Sequence, residues 1–292
     1  VRAAASGANN GSSWADAYTS LQTALGAASA GDELWIAAGT YKPTNGADRT
    51  AHFDPPAGVK LYGGFAGHET DRAQRDWRAN PTILSGDLSD NDNNNIARTE
   101  PPRADNSINI MQLVSKSTEV VIDGLTFTGG NANDLFQANG GGGGLYINSS
   151  TCTVRNCVFE YNAAGTSGAL FAENCTGRLR ITKSIFRHNT AKWYGAVGLN
   201  LNDNLTIESC VFTDNNGTES RSGAVGIAGG TNRIHNTIFY KNHAGSWGGA
   251  LWNETATGVY TEISNCVFYA NHADGRSRSI DSGDGRALQP LV

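Results

Sequence analysis

Short runs of alternating apolar and polar residues fill most of the chain, and Asn, Gly and Ser residues separate them. Typical apolar positions in these runs are Ile181, Ile185, Leu205, Ile207 and Val211. A period of two residues bounded by turn formers predicts short strands. Between about residue 121 and the C-terminus, no segment keeps a helical period over about 10–12 residues, which disfavours helical and leucine-rich repeats.

The runs belong to a repeat of about 27 residues that begins near Val121. Each copy carries a phenylalanine and then an asparagine three residues later, and most copies continue to a Gly-Ala pair. The phenylalanines are Phe159, Phe186, Phe212, Phe239 and Phe268, and the asparagines are Asn162, Asn189, Asn215, Asn242 and Asn271. A repeat of this length made of short strands predicts the coils of a parallel β-helix, stacked about 4.8 Å apart.

Stacked coils place equivalent residues in columns along the axis of the molecule. We expect the phenylalanines to form a ladder of rings in the core. We expect the asparagines to occupy a tight turn, because Asn tolerates left-handed backbone angles and its amide can bond to neighbouring groups and to the next coil. The Gly-Ala pairs are expected to leave room for a close bend.

The N-terminal part carries further motifs at residues 7–25, 31–43, 58–70, 75–87 and 105–110, which read GANNGSSWADAYTSLQTAL, GDELWIAAGTYKP, GVKLYGGFAGHET, RDWRANPTILSGD and DNSINI. With these motifs, the repeat resembles the right-handed parallel β-helix proteins of the pectin-lyase-like superfamily, in particular their secreted, cell-surface bacterial members. The resemblance covers nearly the whole chain and implies an all-β, single-domain fold and an extracellular location. It leaves the activity open, because the superfamily contains lyases, hydrolases, adhesins and structural proteins.

We expect one domain over residues 1–292, divided into an N-terminal helical cap, irregular first coils, regular coils and a C-terminal tail. The predicted bounds are 12–29, 33–128, 129–273 and 274–292. The cap is predicted because Trp14, Tyr18, Leu21 and Leu25 fall at helical spacing, and Ser12 or Ser13 can cap the helix. Such a helix would cover the open end of the stack.

No capping helix is visible in the sequence at the C-terminal end. The tail therefore either folds back over the last coil or docks on a second molecule, and the second arrangement gives head-to-tail filaments. The net charge of −5 does not indicate a basic surface for binding nucleic acid. The sequence contains no run of about 18 apolar residues, so it does not predict a membrane span. The chain starts without Met, which we interpret as a processed or trimmed N-terminus.

The five cysteines fall into two groups. Cys157, Cys210 and Cys266 each precede a repeat phenylalanine by two residues, so we expect them to be buried thiols two coils apart, too distant for disulfides. Cys152 and Cys175 lie outside this column, and the sequence leaves open whether they are bridged or free. The sequence contains no CxxC motif, so it does not predict a structural zinc site.

One loop is a candidate calcium site. Asp87, Asp90 and Asp92 lie in the segment SGDLSDNDNNN, which offers the carboxylate and amide oxygens that Ca²⁺ prefers. The spacing does not match an EF-hand, and a solvated loop of turn formers explains the composition equally well. We therefore predict no required cofactor and Ca²⁺ as the one candidate.

Catalysis by a polysaccharide lyase of this fold would require a Lys or Arg base. Lys183 and Arg187 are the candidates, within a basic cluster that also includes Arg178 and Arg180. Strand alternation places residues 180 and 183 on opposite faces, so a solvated basic surface is the competing interpretation. The catalytic residues are therefore left unassigned, and whether the protein is an enzyme stays open.

Aromatic residues outline a candidate binding surface. Trp193 and Trp247 occupy one predicted column, with Arg221 between them and Tyr194 adjacent. Such a row can stack against sugar rings or anchor a protein partner, and it can also be simple packing at a turn. Two hypotheses of function follow. The first is an extracellular structural or adhesive protein that assembles with itself, and the second is a lyase or non-catalytic binder of acidic polysaccharide.

Overall fold

Each repeat copy forms one coil of a parallel β-solenoid in the computed structural model, which describes residues 1–133, 141–202, 204–219, 221–254, 260–275 and 278–281. Four parallel sheets run along the solenoid, and successive strands of one sheet come from successive coils. The fold is nearly all β, as the alternating pattern predicts. The register is in step with the repeat, since Phe159 pairs with Phe186 and Phe186 with Phe212.

The strands are grouped here by sheet. The first sheet contains Glu33–Ala37, Lys60–Phe65, Val120–Asp123, Cys152–Arg155, Leu179–Thr182, Leu205–Glu208, Thr231–His235 and Tyr260–Ser264. The second contains Gly39–Tyr41, Thr82–Ser85, Leu125–Thr128, Val158–Glu160, Ile185–Arg187, Val211–Thr213, Ile238–Tyr240 and Val267–Tyr269. The third contains Asn131–Ala132, Ala163–Ala164, Thr190–Ala191, Asn216–Gly217, His243–Ala244 and His272–Ala273. The fourth contains Met111–Val114, Leu145–Asn148, Leu170–Glu173, Val197–Asn200, Val225–Ala228, Gly248–Asn253 and Arg278–Asp281.

The predicted phenylalanine ladder is confirmed and begins one coil earlier, at Phe127. Neighbouring rings from Phe127 to Phe268 are stacked, with centroids 4.6–5.0 Å apart and planes within 8° of parallel. The four rings from Phe159 to Phe239 are fully buried. Burial of each side chain stabilises the fold by roughly 1.5–3 kcal/mol, and the stacking adds about 0.5–1.5 kcal/mol per pair.

The asparagines form the predicted ladder, but not in the predicted backbone conformation. The Nδ2 of Asn189 donates to Oδ1 of Asn215 at 3.0 Å and to the carbonyl of Phe159 at 2.9 Å, and the pattern repeats in the next coils. The left-handed residue is the one before each asparagine, such as His188 with φ 52° and Asp214 with φ 54°. The Asn side chain therefore closes the turn through hydrogen bonds, and its neighbour carries the backbone strain.

The N-terminal helix is shorter than the predicted segment 12–29. It runs from Leu21 to Ala27, and its cap is Ser20, whose hydroxyl accepts the N–H of Thr23. Before it, Ser13 and Asp16 bond to the local backbone: the Ser13 hydroxyl accepts the N–H of Asp16. These side-chain bonds offer the backbone an alternative to helix, which is why the helical spacing of the preceding aromatics is misleading. Two 3₁₀ turns, Arg72–Gln74 and Pro101–Asp105, complete the described helical elements.

All five thiols are free, which resolves the open alternative for Cys152 and Cys175 in favour of unbridged residues. Cys157 and Cys210 are buried in the predicted column, with Ser184 between them. Burial raises the pKa of Cys157 and of Cys210 to about 12. These cysteines therefore serve as small apolar core residues.

Candidate functional site

The outer surface of the first sheet carries a charged groove. Its larger cavity has a volume of about 670 Å³ and is formed around the strands Val120–Asp123 to Leu205–Glu208. Five cations and three carboxylates line it, a net charge of +2: Arg75, Arg155, Arg178, Arg180, Lys183, Glu119, Asp123 and Glu208. We call these eight residues and the space between them the charged groove.

Most of these charges neutralise one another. The buried Asp123 carboxylate forms ion pairs with Arg75 through Oδ1 and with Arg155 through Oδ2, each at 2.6 Å. Arg180 pairs with Glu208 in the next coil at 3.1 Å. These pairs hold the floor of the charged groove in a fixed arrangement.

Two cations of the charged groove remain available. Arg178 and Lys183 are exposed, and neither side chain has an ion-pair partner among the residues that the structure describes. Their positive charge is therefore directed to solvent or to a ligand. An anion in the groove would find both within one coil, because they flank the strand Leu179–Thr182.

A second cavity, of about 430 Å³, continues along the same sheet and shares Arg178 with the first. Arg233, Glu262 and Tyr260 also line it, and the ring of Tyr260 is 61% exposed. The two cavities extend over six successive strands of the sheet, from Val120–Asp123 to Tyr260–Ser264. At about 4.8 Å between strands this is a track of about 24 Å, suited to an extended ligand.

The catalytic candidates Lys183 and Arg187 are separated by the fold. Lys183 lines the charged groove, whereas Arg187 lies on the second sheet and pairs with Glu160, its Nε 2.6 Å from Oε2. The prediction that strand alternation places Arg180 and Lys183 on opposite faces was wrong. The φ of 49° at Lys183 ends the alternation at the turn, so Lys183 and Arg180 both face the groove.

The aromatic candidates are brought together, but largely by packing on one another. The Arg221 guanidinium lies over the rings of Trp193 and Tyr194, and its Nη1 donates to the Tyr194 hydroxyl at 2.7 Å. Trp247 contacts the cluster edge-on through Trp252. Tyr194 is only 3% exposed, so the surface open to a ligand is reduced to the half-buried Trp193, Arg221 and Trp247.

Sequence reasoning missed Trp252, which joins this cluster. Its ring stacks at 6.0 Å on Tyr194 and lies 4.6 Å from the Arg221 guanidinium carbon. The available signal was glycine at the equivalent outward positions of the two preceding coils, Gly198 and Gly226. A Cβ at Gly226 would lie 2.0 Å from the Tyr194 ring, so these glycines mark the space that the aromatic side chains fill.

The three aspartates of the calcium candidate have separate partners. Asp90 pairs with Lys42 at 2.7 Å, and Asp92 receives Arg103 at 2.9 Å. The Asp87 carboxylate accepts the backbone N–H of Asp92 at 3.0 Å. Burial raises the pKa of Asp92 despite the Arg103 charge. These contacts anchor the loop to the solenoid, and calcium at this place stays a prediction.

A further cavity, of about 480 Å³, lies beside the N-terminal helix and is lined by Trp14, Trp35 and Glu69. The Glu69 carboxylate accepts the backbone N–H groups of Ala66, Gly67 and His68 at 2.6–3.0 Å. Its charge is thus used to hold a turn, and the rest of the lining mixes aromatic residues with polar ones such as Ser13 and Thr70. The charged groove is the better functional candidate.

The fold and the groove define a parallel β-solenoid with an elongated, charged surface track. Comparisons with protein-family models, curated proteins and solved structures find no match to this chain. None of the described helices is long and apolar enough to cross a membrane. The chemistry of the groove is therefore the best guide to the function of the chain.

Proposed function

We propose that this chain is an extracellular adhesive β-helix of the pectin-lyase-like type, which holds an acidic polysaccharide in the charged groove without cleaving it. The observation that carries the proposal is the track of two cavities that share Arg178 along one sheet. A linear polymer fits a track of this length better than a small molecule does. A rigid stack of coils keeps the track straight.

The charges of the track favour uronate groups. Arg178 and Lys183 are free to bind carboxylates, and charge-assisted hydrogen bonds contribute about 1.5–3 kcal/mol each. The exposed ring of Tyr260 offers a flat apolar surface against which a sugar ring can stack. The ion pairs of Asp123 and Glu208 engage Arg75, Arg155 and Arg180, so the unpaired Arg178 and Lys183 set where the anionic groups lie.

The geometry favours binding over elimination. A lyase needs a base in the groove, and of the two predicted candidates only Lys183 lines it, whereas Arg187 lies on the second sheet and pairs with Glu160. Arg178 and Lys183 are both solvent-exposed, so water competes for any proton transfer. The assay below distinguishes the two activities directly.

The test measures binding of polygalacturonate and of a neutral dextran by the purified protein. We expect saturable, salt-sensitive binding of polygalacturonate alone, weakened about tenfold by Arg178→Ala and by Lys183→Asn. Asn is chosen because it occupies the equivalent left-handed position at Asn156 and Asn236. The matched control is Arg187→Ala, which removes an exposed cation outside the groove and should leave affinity unchanged.

Two results would contradict the proposal. An equal loss of affinity for polygalacturonate in Arg187→Ala and Lys183→Asn would show that only the net charge of the protein matters. Ultraviolet absorbance of an unsaturated uronate product, lost in Lys183→Asn, would establish a lyase instead of a binder.

Self-association is a second candidate, favoured by the exposed apolar residues of the last described coil. Val267 and Tyr269 are 54% and 66% exposed, and Phe268 is half-buried where Phe239 is fully buried. Of the predicted tail 274–292, residues 276–277 and 282–292 lie outside the described residues. Sedimentation at increasing protein concentration tests this candidate. We expect association that Val267→Ser and Tyr269→Ser weaken, and a monomer at all concentrations would reject it.

A further inference from the structure

Two histidines and one aspartate meet on the third sheet at the last described coils. The Nε2 atoms of His243 and His272 lie 3.0 and 3.3 Å from the same oxygen, Oδ1 of Asp274. One ligand atom from each residue lies within 4.8 Å of the others, and no other group of three His, Cys or acidic side chains does so in the described part of the chain. This cluster lies outside the charged groove and has no role in the proposed function.

The hydrogen bonding of His243 orients its Nε2 towards the aspartate. Its Nδ1 lies 3.1 Å from Oδ1 of Asn216, an acceptor, so Nδ1 carries the ring hydrogen. In that tautomer the Nε2 lone pair faces the Asp274 carboxylate oxygen, which is also an acceptor. A proton on Nε2 or a metal ion between the two atoms satisfies both, and the Nε2 of His272 beside the same oxygen favours the metal ion. An outer partner that fixes the tautomer in this way is typical of metal-binding histidines.

The backbone pre-organises the three side chains. His243 and His272 pair in parallel register, and their rings stack with centroids 5.7 Å apart. The N–H of Asp274 donates to the carbonyl of Ala244 at 3.0 Å, which fixes the aspartate two residues after His272. In the coil before His243 the equivalent residues are Asn216 and Thr218, which do not complete such a ligand set.

We propose that His243, His272 and Asp274 bind a divalent transition-metal ion of the Zn²⁺ class, which clamps the two last described third-sheet strands together. Two imidazole nitrogens and one carboxylate are a ligand set that Zn²⁺, Co²⁺, Ni²⁺ and Cu²⁺ accept, with water in the remaining positions. The side chains of His272 and Asp274 are 59% and 58% exposed, so the ion can enter and exchange.

Metal titration of the tag-free protein tests the site. We expect one Zn²⁺ per chain by calorimetry, and a visible absorption spectrum when Co²⁺ replaces it. His272→Ala and Asp274→Asn should each weaken binding at least about tenfold, and Asn216→Ala about tenfold through loss of the outer partner. The matched control is His68→Ala, an exposed histidine far along the chain, which should bind as the wild type does.

A second readout follows the clamp itself. Zn²⁺ should raise the melting temperature of the wild type and of His68→Ala, and should leave His272→Ala unchanged. Circular dichroism establishes that each variant is folded, which the exposure of the replaced side chains favours. Absence of saturable binding of Zn²⁺, Ni²⁺ and Cu²⁺, or equal affinity in the wild type and His272→Ala, would overturn the proposal.

Discussion

At the scale of single residues, this solenoid is stabilised by side chains that satisfy the backbone at its turns. Each buried asparagine of the ladder donates to a carbonyl of the previous coil and accepts a backbone N–H there, as Asn215 does with Phe186 and Asn189. The residue before each asparagine accepts a left-handed backbone. The turn therefore depends on two neighbouring positions with different physical roles.

Replacing Asn215 with Ala should lower the free energy of unfolding by about 3 kcal/mol. The change leaves the buried Asn189 N–H without its acceptor, which costs about 1–3 kcal/mol, and it also removes the side-chain hydrogen bonds to the Phe186 carbonyl and to the Asn189 amide. Denaturant unfolding measures the difference. The control is Thr213→Ala, which alters an outward side chain two positions earlier and should cost under about 0.5 kcal/mol. Equal losses in the two variants would contradict the role of the ladder.

The buried thiols predict a dependence of stability on alkaline pH. The pKa of Cys157 and of Cys210 is raised from 9.0 to about 12 in the folded state, so both states keep the proton below pH 9. Above it, only the unfolded state releases protons, and the free energy of unfolding falls by about 1.4 kcal/mol per pH unit for each thiol. The double variant Cys157→Ser, Cys210→Ser should show a shallower decline between about pH 9 and about pH 10.5, because Ser does not titrate there. Identical slopes would reject this account.

At the scale of elements, most of the coil follows from the sequence, because the hydrophobic period and the repeat act on the same residues. The Phe159–Phe268 column and the cysteine column were predicted from spacing, although Cys266 at its end is only half-buried. The exceptions occur where a local bond or a single backbone angle overrides the period. Asp16 and Ser13 bond the backbone before Leu21 and delay the helix, and the left-handed φ of Lys183 brings it into the groove.

The candidate site was less predictable than the coil for the same reason. Lys183, Arg178 and Arg180 were named from their clustering in one coil, but the other charges of the groove come from other coils, and Arg75 comes from outside the repeat altogether. Asp123 joins Arg75 and Arg155 across 32 or more residues of sequence. No local spacing encodes such a contact. Stacking the repeat copies predicts which column a residue occupies, but not which long side chains contact one another.

The Gly-Ala pairs provide a test at the element scale. A Cβ at Gly223 would lie 2.1 Å from the carbonyl oxygen of Gly249, so successive coils approach too closely for any side chain there. Gly223→Ala should destabilise the protein by about 1–3 kcal/mol through overpacking against backbone. Gly26→Ala is the control, because nothing lies within 4 Å of its Cβ and the helix Leu21–Ala27 should gain about 0.5–1 kcal/mol. Melting temperatures shifted in the same direction would contradict the close approach.

At the scale of the whole molecule, buried ion pairs attach the irregular segments to the regular stack. Arg103 follows the acidic loop and is 1% exposed, yet it reaches the carbonyl of Tyr161 at 2.8 Å. It also holds Asp92 at 2.9 Å. A loop that composition alone describes as polar and solvated is therefore fixed to the solenoid by a buried guanidinium.

Arg103→Ala should accordingly be among the most damaging single changes outside the core. It leaves the Asp92 carboxylate, which is 17% exposed, without its cation, and removing one partner of a buried pair costs about 3–5 kcal/mol. The matched control is Arg187→Ala, whose pair with Glu160 is half open to water and should contribute under about 1 kcal/mol. Denaturant unfolding gives both values, and hydrogen exchange locates the effect. We expect faster exchange in the segment 87–105 together with Tyr161 and its turn, because Arg103 joins them. Faster exchange confined to the segment 87–105, with an unchanged free energy of unfolding, would show that the acidic segment is attached to the solenoid but is not part of its folding unit.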